Sequence, residues 1–340
     1  MYTERRGIAS FSSAILVSRE PNRECCPQMN FAVHQGGLCS SHLRRIFPVT
    51  GAIASAEHKD AGNAARRRRS LKMVDRELSK GNYKTAVSLV KQLNGKPGGL
   101  RGFGAAKQVS HRLDDLKLHE SLQSLVDSIL DLMEKCRQFA MLDEVSVKAL
   151  EKSMPDEGNE SHCDEDHFLY TQHEAGHFLV GYLLGVLPRG YEIPSKEALR
   201  QDRFAAGRVE FVGFEFLRQV RTTEIVEKKF SKGKSKKGKI SSKTLNRFSC
   251  VIVAGLIAEY LVFGCSEGLH SDVEQLDEVL KWLGFSEGEA YSQMKWAVLN
   301  TVLILSRHHE ARLRLAKAMA LGKSVGYCID TIENVINEVI

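Results

Sequence analysis

The sequence lacks the cysteine spacing and the proline content that mark several simple protein classes. Its eight cysteines include no C-x-x-C pair, so we expect free, buried thiols in a reducing compartment and no disulfide framework. With 7 prolines and 43% hydrophobic residues in 340, the chain is neither collagen-like nor wholly disordered. Its length suffices to bury at least one full core.

Long apolar runs free of charge are also absent. The best candidate, Phe248 to Cys265, carries Glu259 near its centre, and the run from Phe178 to Leu187 is too short for a bilayer. We interpret both as buried helices. The sequence therefore predicts no transmembrane helix of its own and leaves peripheral membrane contact open.

The net charge of +6 is no sign of nucleic-acid binding, because it lies at one end of the chain. Residues 1–70 hold 11 basic and 5 acidic residues, which leaves 37 of each sign in the remainder. The remainder is electroneutral, so we expect no nucleic-acid partner.

Residues 1–65 show no sustained periodicity, which favours a disordered organellar transit peptide. Their apolar stretch Ala14–Val17 is too short for a secretory signal. The basic run Arg66–Arg69 could serve as a nuclear signal or a phosphate patch. We interpret it as the end of the leader, because a helical pattern follows directly.

Residues 66–150 are predicted to form a helical N-terminal region. A helical hairpin turns at Gly81-Asn82, a glycine-rich loop follows at 95–104, and an amphipathic helix runs from Leu113 to Phe139. The loop lacks the G-x-x-x-x-G-K-[ST] spacing, so we do not expect a nucleotide site. Residues 151–167 carry seven carboxylates and are predicted to be a solvated acidic linker.

The pattern that carries chemistry is His173-Glu174-Ala-Gly-His177, in an apolar segment that predicts a buried helix. Four residues rotate a helix by about 400°, so the two imidazoles lie one turn apart and can hold one zinc ion at about 2.0–2.1 Å. Glu174 then lies beside the metal, where it can accept a proton from water that zinc has acidified. An H-E-x-x-H helix of this kind is typical of metalloproteases.

Catalytic zinc needs a third protein ligand and an open position. A second buried helix is predicted from Asn246 to Gly264, and three candidate ligands follow it, His270, Asp272 and Asp277. Spacing alone does not decide among these three.

The two segments together resemble the peptidase domain of the FtsH family of zinc proteases. That family pairs an H-E-A-G-H helix with a later helix containing Gly-Gly, Ala-Glu and Phe-Gly. The corresponding residues here are Ala254-Gly255, Ala258-Glu259 and Phe263-Gly264. The resemblance implies that Asp272 is the third zinc ligand and that Glu259 orients neighbouring groups without binding metal.

The resemblance covers about residues 165–340 and implies a mainly α fold, with a zinc peptidase domain at 168–340 that cuts unfolded or flexible protein segments. Partial alternation from Arg208 to Phe216 predicts a small β-hairpin beside the site, whose edge could bind an extended peptide. The chain departs from the family in lacking the nucleotide motifs of an ATPase module. A lysine-rich loop at 228–243 is a second departure.

The resemblance also implies a chloroplast location, with the mitochondrion as the alternative. Implied partners are FtsH-type ATPase complexes or further copies of the chain. The alternative function is a catalytically silent scaffold or regulatory subunit of an organellar protease complex. The intact Glu174 favours the enzyme, since a silent site has no chemical need for that carboxylate.

Overall fold

The computed structural model describes residues 50–111, 119–140, 160–201, 207–222, 238–264 and 269–338. These residues are mainly helical, which confirms the predicted fold class at that level. The helices are α1 (Thr50–Ser79), α2 (Tyr83–Leu93), α3 (Glu120–Ala140), α4 (Glu160–Leu183), α5 (Lys196–Gln201), α6 (Ser242–Ile252), α7 (Ala254–Phe263), α8 (Leu269–Trp282), α9 (Glu287–Arg307), α10 (His309–Ala320) and α11 (Val325–Glu338). The strands are β1 (Pro188–Glu192) and β2 (Arg208–Phe211).

Helix α4 lies in the centre of the core, and every residue from Thr171 to Leu184 is buried. Apart from the polar residues between Thr171 and His177, this segment is apolar, so it is buried around its whole circumference. It packs against α7 at Gly176, where a Cβ atom would lie 2.5 Å from the carbonyl oxygen of Ala254 and 2.7 Å from Cβ of Ala258. Only glycine permits this approach of the two backbones.

The apolar segment 242–263 forms two helices, so the prediction of one continuous helix from Asn246 to Gly264 is wrong. The break lies at Val253, between α6 and α7. In the last turn of α6, the carbonyl oxygen of Val251 accepts a hydrogen bond from Nδ1 of His177 at 2.7 Å. This carbonyl also accepts from the backbone N–H of Val253, so a side chain distant in sequence adds a second donor at the helix end.

Among the described residues, one helical segment, Ser242–Phe263, has the length and composition to span a bilayer. Its mean hydropathy is 1.5, yet 67% of its apolar window is buried inside the protein. Glu259 within it is fully buried. This burial agrees with the prediction of a core helix.

The two strands pair antiparallel, with Gly190 opposite Glu210 and Tyr191 opposite Val209. This pairing differs from the predicted hairpin within 208–216, because the partner of β2 is β1 and α5 lies between them in the chain. A helix in the connection hides this pairing from local sequence patterns.

The N-terminal helices form the predicted hairpin, which turns at Gly81 with a φ of 75°. Helix α1 begins at Thr50, so the part of the predicted disordered leader from residue 50 to 65 is helical, while residues 1–49 lie outside the described part. Helix α4 likewise begins inside the predicted acidic linker, at Glu160. Residues 228–237 of the lysine-rich loop lie outside the described part.

Part of the basic run Arg66–Arg69 forms ion pairs inside the fold. The interpretation of this run as merely the end of a leader is therefore incomplete. Nε of Arg67 lies 2.7 Å from Oδ1 of Asp330, and Nε of Arg68 lies 2.9 Å from its Oδ2. The Arg67 side chain is 4% exposed. These ion pairs attach α1 to α11, because a buried charge is tolerated only when it is paired.

A buried carboxylate joins the glycine-rich loop to α11. Glu333 accepts hydrogen bonds from the backbone amides of Arg101 at 2.8 Å and Gly102 at 2.7 Å, and from the Tyr182 hydroxyl at 2.5 Å. Burial, together with Glu333, raises the pKa of Tyr182 well above its ordinary value. The hydroxyl therefore keeps its proton and remains a donor.

The same loop caps the C-terminal end of α4. The amide of Gly104 donates to the carbonyl of Tyr182 at 3.1 Å, and the amide of Ala106 donates to that of Leu183 at 3.0 Å. Both carbonyls belong to the last turn, which has no intrahelical donors. The described residues of α1, α2 and α3 share one hydrophobic cluster with α4 and α6–α11.

Cys250 and Cys328 are free and buried, in agreement with the prediction for these two thiols. Burial raises the pKa of each thiol to about 12. Both remain protonated at neutral pH, so neither is a nucleophile.

We expect Glu333→Gln to lower the free energy of unfolding by about 2 kcal/mol, because the amide NH2 would face a backbone or hydroxyl donor in a buried position. Urea unfolding followed by circular dichroism measures the change. The matched control is Glu338→Gln, whose carboxylate makes an exposed ion pair with Arg314 and is expected to change stability by less than about 0.5 kcal/mol. Equal effects of the two substitutions would contradict the structural role of Glu333.

Candidate metal centre

Four side chains predicted to form the site come together in the core. Helix α4 supplies His173, Glu174 and His177 from two successive turns, and α8 supplies Asp272 from its first turn. Their exposures are 7%, 3%, 7% and 7%. One ligand atom from each histidine and from Asp272 lies within 4.8 Å of the other two.

Both imidazole rings are oriented by acceptors on their far side. Nδ1 of His173 lies 2.7 Å from Oε1 of Glu259, and Nδ1 of His177 lies 2.7 Å from the carbonyl oxygen of Val251. A carbonyl can only accept, and an ionised carboxylate can only accept, so each Nδ1 carries the proton. In the neutral rings the lone pair is therefore on Nε2, which faces the site.

The three inward atoms have the separations of ligands around one ion. The two Nε2 atoms lie 2.9 Å apart, and Oδ2 of Asp272 lies 3.4 Å from each. Ligands at 2.0–2.1 Å in a tetrahedron are about 3.3 Å apart. The triangle is therefore close to one face of a zinc coordination sphere.

Two observations show that this group of atoms could hold a cation. The two Nε2 lone pairs of neutral His173 and His177 repel each other at 2.9 Å unless a positive charge lies between them. Oδ2 of Asp272 and Oε2 of Glu174 are buried and have no hydrogen-bond partner. Unpaired carboxylate oxygens are costly in a protein interior, and a metal ion removes that cost. The donor set therefore fits a divalent metal.

The electrostatics of the cluster point the same way. Burial lowers the pKa of His173, but Asp272 and Glu259 outweigh that effect and raise it to about 10. The pKa of His177 is also raised, because Asp272 outweighs the burial of the ring. Burial raises the pKa of Glu174. The cluster therefore attracts positive charge, in the form of protons when no metal is present.

Two glycines make room for these groups. A Cβ atom on Gly255 would lie 2.4 Å from Nε2 of His173 and 2.5 Å from Nε2 of His177, in the space that the ligand atoms enclose. A Cβ atom on Gly207 would lie 2.7 Å from Oε1 of Glu174. Gly207 was not identified from the sequence, because nothing local distinguishes it. Gly255 corresponds to a glycine of the FtsH-like motif, but the sequence alone assigned no role to it.

The rival third ligands differ in what the structure shows. Oδ1 of Asp277 lies 3.4 Å from Nη2 of Arg137, and its Oδ2 lies 2.5 Å from Nζ of Lys281. These ion pairs occupy Asp277, so it does not join the cluster. The side chain of His270 lies outside the described residues. Asp272 is thus the residue that the described structure brings to both histidines.

Comparison with known proteins adds no family assignment. No protein-family model, no curated protein and no solved structure matches the chain.

We expect Gly255→Ala to abolish zinc binding although every ligand is retained, because the added methyl group would occupy the space between the two imidazoles. Zinc per chain, measured by elemental analysis after dialysis, checks this. The matched control is Gly288→Ala, where an added Cβ has no neighbour within 4 Å. Equal zinc content in both variants would contradict the assigned position of the metal.

We expect Glu259→Gln to weaken zinc binding by about 10- to 100-fold, because the amide holds the imidazole less firmly and makes it less basic. Competition with a chromogenic chelator measures the dissociation constant. Glu274→Gln, in the same helix as Asp272, serves as the carboxylate control and should leave the constant unchanged. A Glu259→Gln protein with unaltered affinity would show that the contact with His173 is only structural.

Proposed function

We propose that this chain is a zinc-dependent endopeptidase that hydrolyses peptide bonds in unfolded or flexible protein segments. One observation carries the proposal. The ligand atoms of His173, His177 and Asp272 converge in the core. The buried Glu174 carboxylate interacts electrostatically with all three and has one oxygen unpaired. Two histidines and a carboxylate also suit non-haem iron, but a proton acceptor beside them is what hydrolysis requires.

The roles of the residues follow from the atoms that face inward. His173 and His177 would bind the metal through Nε2, and Asp272 through Oδ2. Zinc, when bound, lowers the pKa of water and polarises the scissile carbonyl. Glu174 would accept the proton of the attacking water and deliver it to the leaving amine.

A substrate in extended form fits the position of β2. The strand begins one residue after Gly207, which lies against the Glu174 carboxylate. β1 pairs with one edge of β2, and in the part of the chain that the structure describes no further strand pairs with the other. We propose that the substrate backbone adds to this edge, a mode that accepts many sequences and suits unfolded segments.

The FtsH-like identity is part of the same proposal. It is supported by the places of two motif residues, since Gly255 lies against Nε2 of both histidines and Glu259 binds Nδ1 of His173. A chloroplast location, with the mitochondrion as the alternative, follows from that resemblance. The same resemblance implies FtsH-type ATPase complexes, or further copies of the chain, as partners.

We expect Glu174→Gln to keep one zinc ion per chain and to lose about 10²- to 10⁴-fold in kcat/KM on an unfolded substrate such as casein, since the proton acceptor is removed while the ligands remain. His173→Ala should lose both zinc and cleavage. Zinc analysis and fluorescent casein cleavage, run on the same preparations, measure the two properties separately.

The control for Glu174→Gln is Glu197→Gln, an exposed carboxylate on α5 that should leave kcat/KM unchanged. If the wild-type protein carries zinc but cleaves neither casein nor a set of unfolded peptides, the peptidase proposal is contradicted. That result would favour a catalytically silent scaffold or regulatory subunit.

A further inference from the structure

Of the three ligand residues, Asp272 alone does not lie on α4. It is in the first turn of α8, and residues 265–268, which connect α8 to α7, lie outside the described part of the chain. The distance from Asp272 to the two imidazoles therefore depends on what α8 packs against.

The largest contact of α8 is with α3, and smaller contacts with α6 and α7 follow. Both helices contribute apolar side chains to the same core. Those of α3 are Val126, Ile129, Leu130 and Met133, and those of α8 are Val273, Leu276, Val279, Leu280. Because close-packed side chains transmit displacements, a shift of α3 would move α8 as well.

A polar contact also joins the two helices. Nη2 of Arg137, near the end of α3, lies 3.4 Å from Oδ1 of Asp277, and the other oxygen of Asp277 binds Lys281. Asp277 is five residues after Asp272 on the same helix. The ion pair therefore adds a polar contact between α3 and α8 to their apolar packing.

Helix α3 also packs against α9, which contacts α6 and α7. These two helices hold the acceptors that orient the imidazoles, Val251 in α6 and Glu259 in α7. Helix α3 therefore packs against α8, which carries Asp272, and against α9, which contacts the two helices that orient the histidines.

We propose that α3 is a positioning element of the metal centre, which holds Asp272 at coordination distance from His173 and His177. This inference rests on the proposed metal centre, although not on peptidase activity. It makes a helix from outside the FtsH-like segment part of the site. A partner that displaced α3 would weaken metal binding without touching a ligand.

The test is a double-mutant cycle on zinc affinity, with Ile129→Ala and Asp272→Asn made singly and together in the full chain. Ile129 is fully buried in α3. We expect Ile129→Ala to weaken zinc binding about tenfold when Asp272 is present and to have no further effect when Asp272 is already replaced. Cobalt(II) absorption of Ile129→Ala should shift towards that of Asp272→Asn.

Two controls separate positioning from loss of stability. Val90→Ala removes an equally buried side chain from α2, whose main contact is α1, and should leave zinc affinity unchanged. Ser124→Ala alters an exposed position of α3 and should also have no effect. If Ile129→Ala does not fold, Ile129→Val replaces it in the cycle, with a smaller change in the same direction.

The outcomes distinguish the role of α3 from the metal centre itself. Equal weakening of zinc binding by Ile129→Ala in both backgrounds, or no weakening in either, overturns the role of α3. If His173→Ala binds zinc as tightly as the wild-type chain, the proposed metal centre is overturned, and this inference with it.

Discussion

The arrangement on which the site depends is the pair of hydrogen bonds behind the histidine rings. Glu259 and the Val251 carbonyl fix Nδ1 of His173 and His177 as donors, which turns both Nε2 atoms towards one point. Two imidazole lone pairs 2.9 Å apart are unfavourable alone and favourable around a cation. The surrounding structure holds the rings in this arrangement, and that is the physical basis for a metal centre.

Close backbone approach makes the arrangement possible. Gly176 lets α4 and α7 touch, and Gly255 leaves open the space that the ligand atoms enclose. The break between α6 and α7 contributes to the same arrangement, because the Val251 carbonyl beside it accepts a hydrogen bond from His177. Small residues and an interrupted helix are usually signs of weak local structure. Here both serve the geometry of one site.

The N-terminal region is bound to the rest of the described structure by buried polar contacts as well as apolar packing. Arg67 pairs with Asp330, and Glu333 accepts donors from the loop that also caps α4. These contacts span more than 230 residues of sequence. They place α1 against α11 and join the loop to α11, and the loop in turn caps the helix that carries the histidines. The candidate metal centre and the N-terminal region therefore share one core.

The sequence by itself determined the elements that depend on local spacing. The four-residue interval between His173 and His177 placed both imidazoles on one helical face, and the surrounding apolar residues predicted the burial of α4. The helical hairpin at Gly81 was predictable for the same reason. Asp272 was singled out only by resemblance, because no local pattern relates it to residues 95 positions earlier.

Tertiary structure decided the rest, because the relevant contacts join residues far apart in the chain. The Val251 carbonyl, next to the break at Val253, meets a donor 74 residues away, and Arg67 pairs with a carboxylate 263 residues away. The partner of β2 and the contact of Gly207 with Glu174 are of the same kind. Periodicity records which face of an element is buried, but not which distant group will meet it.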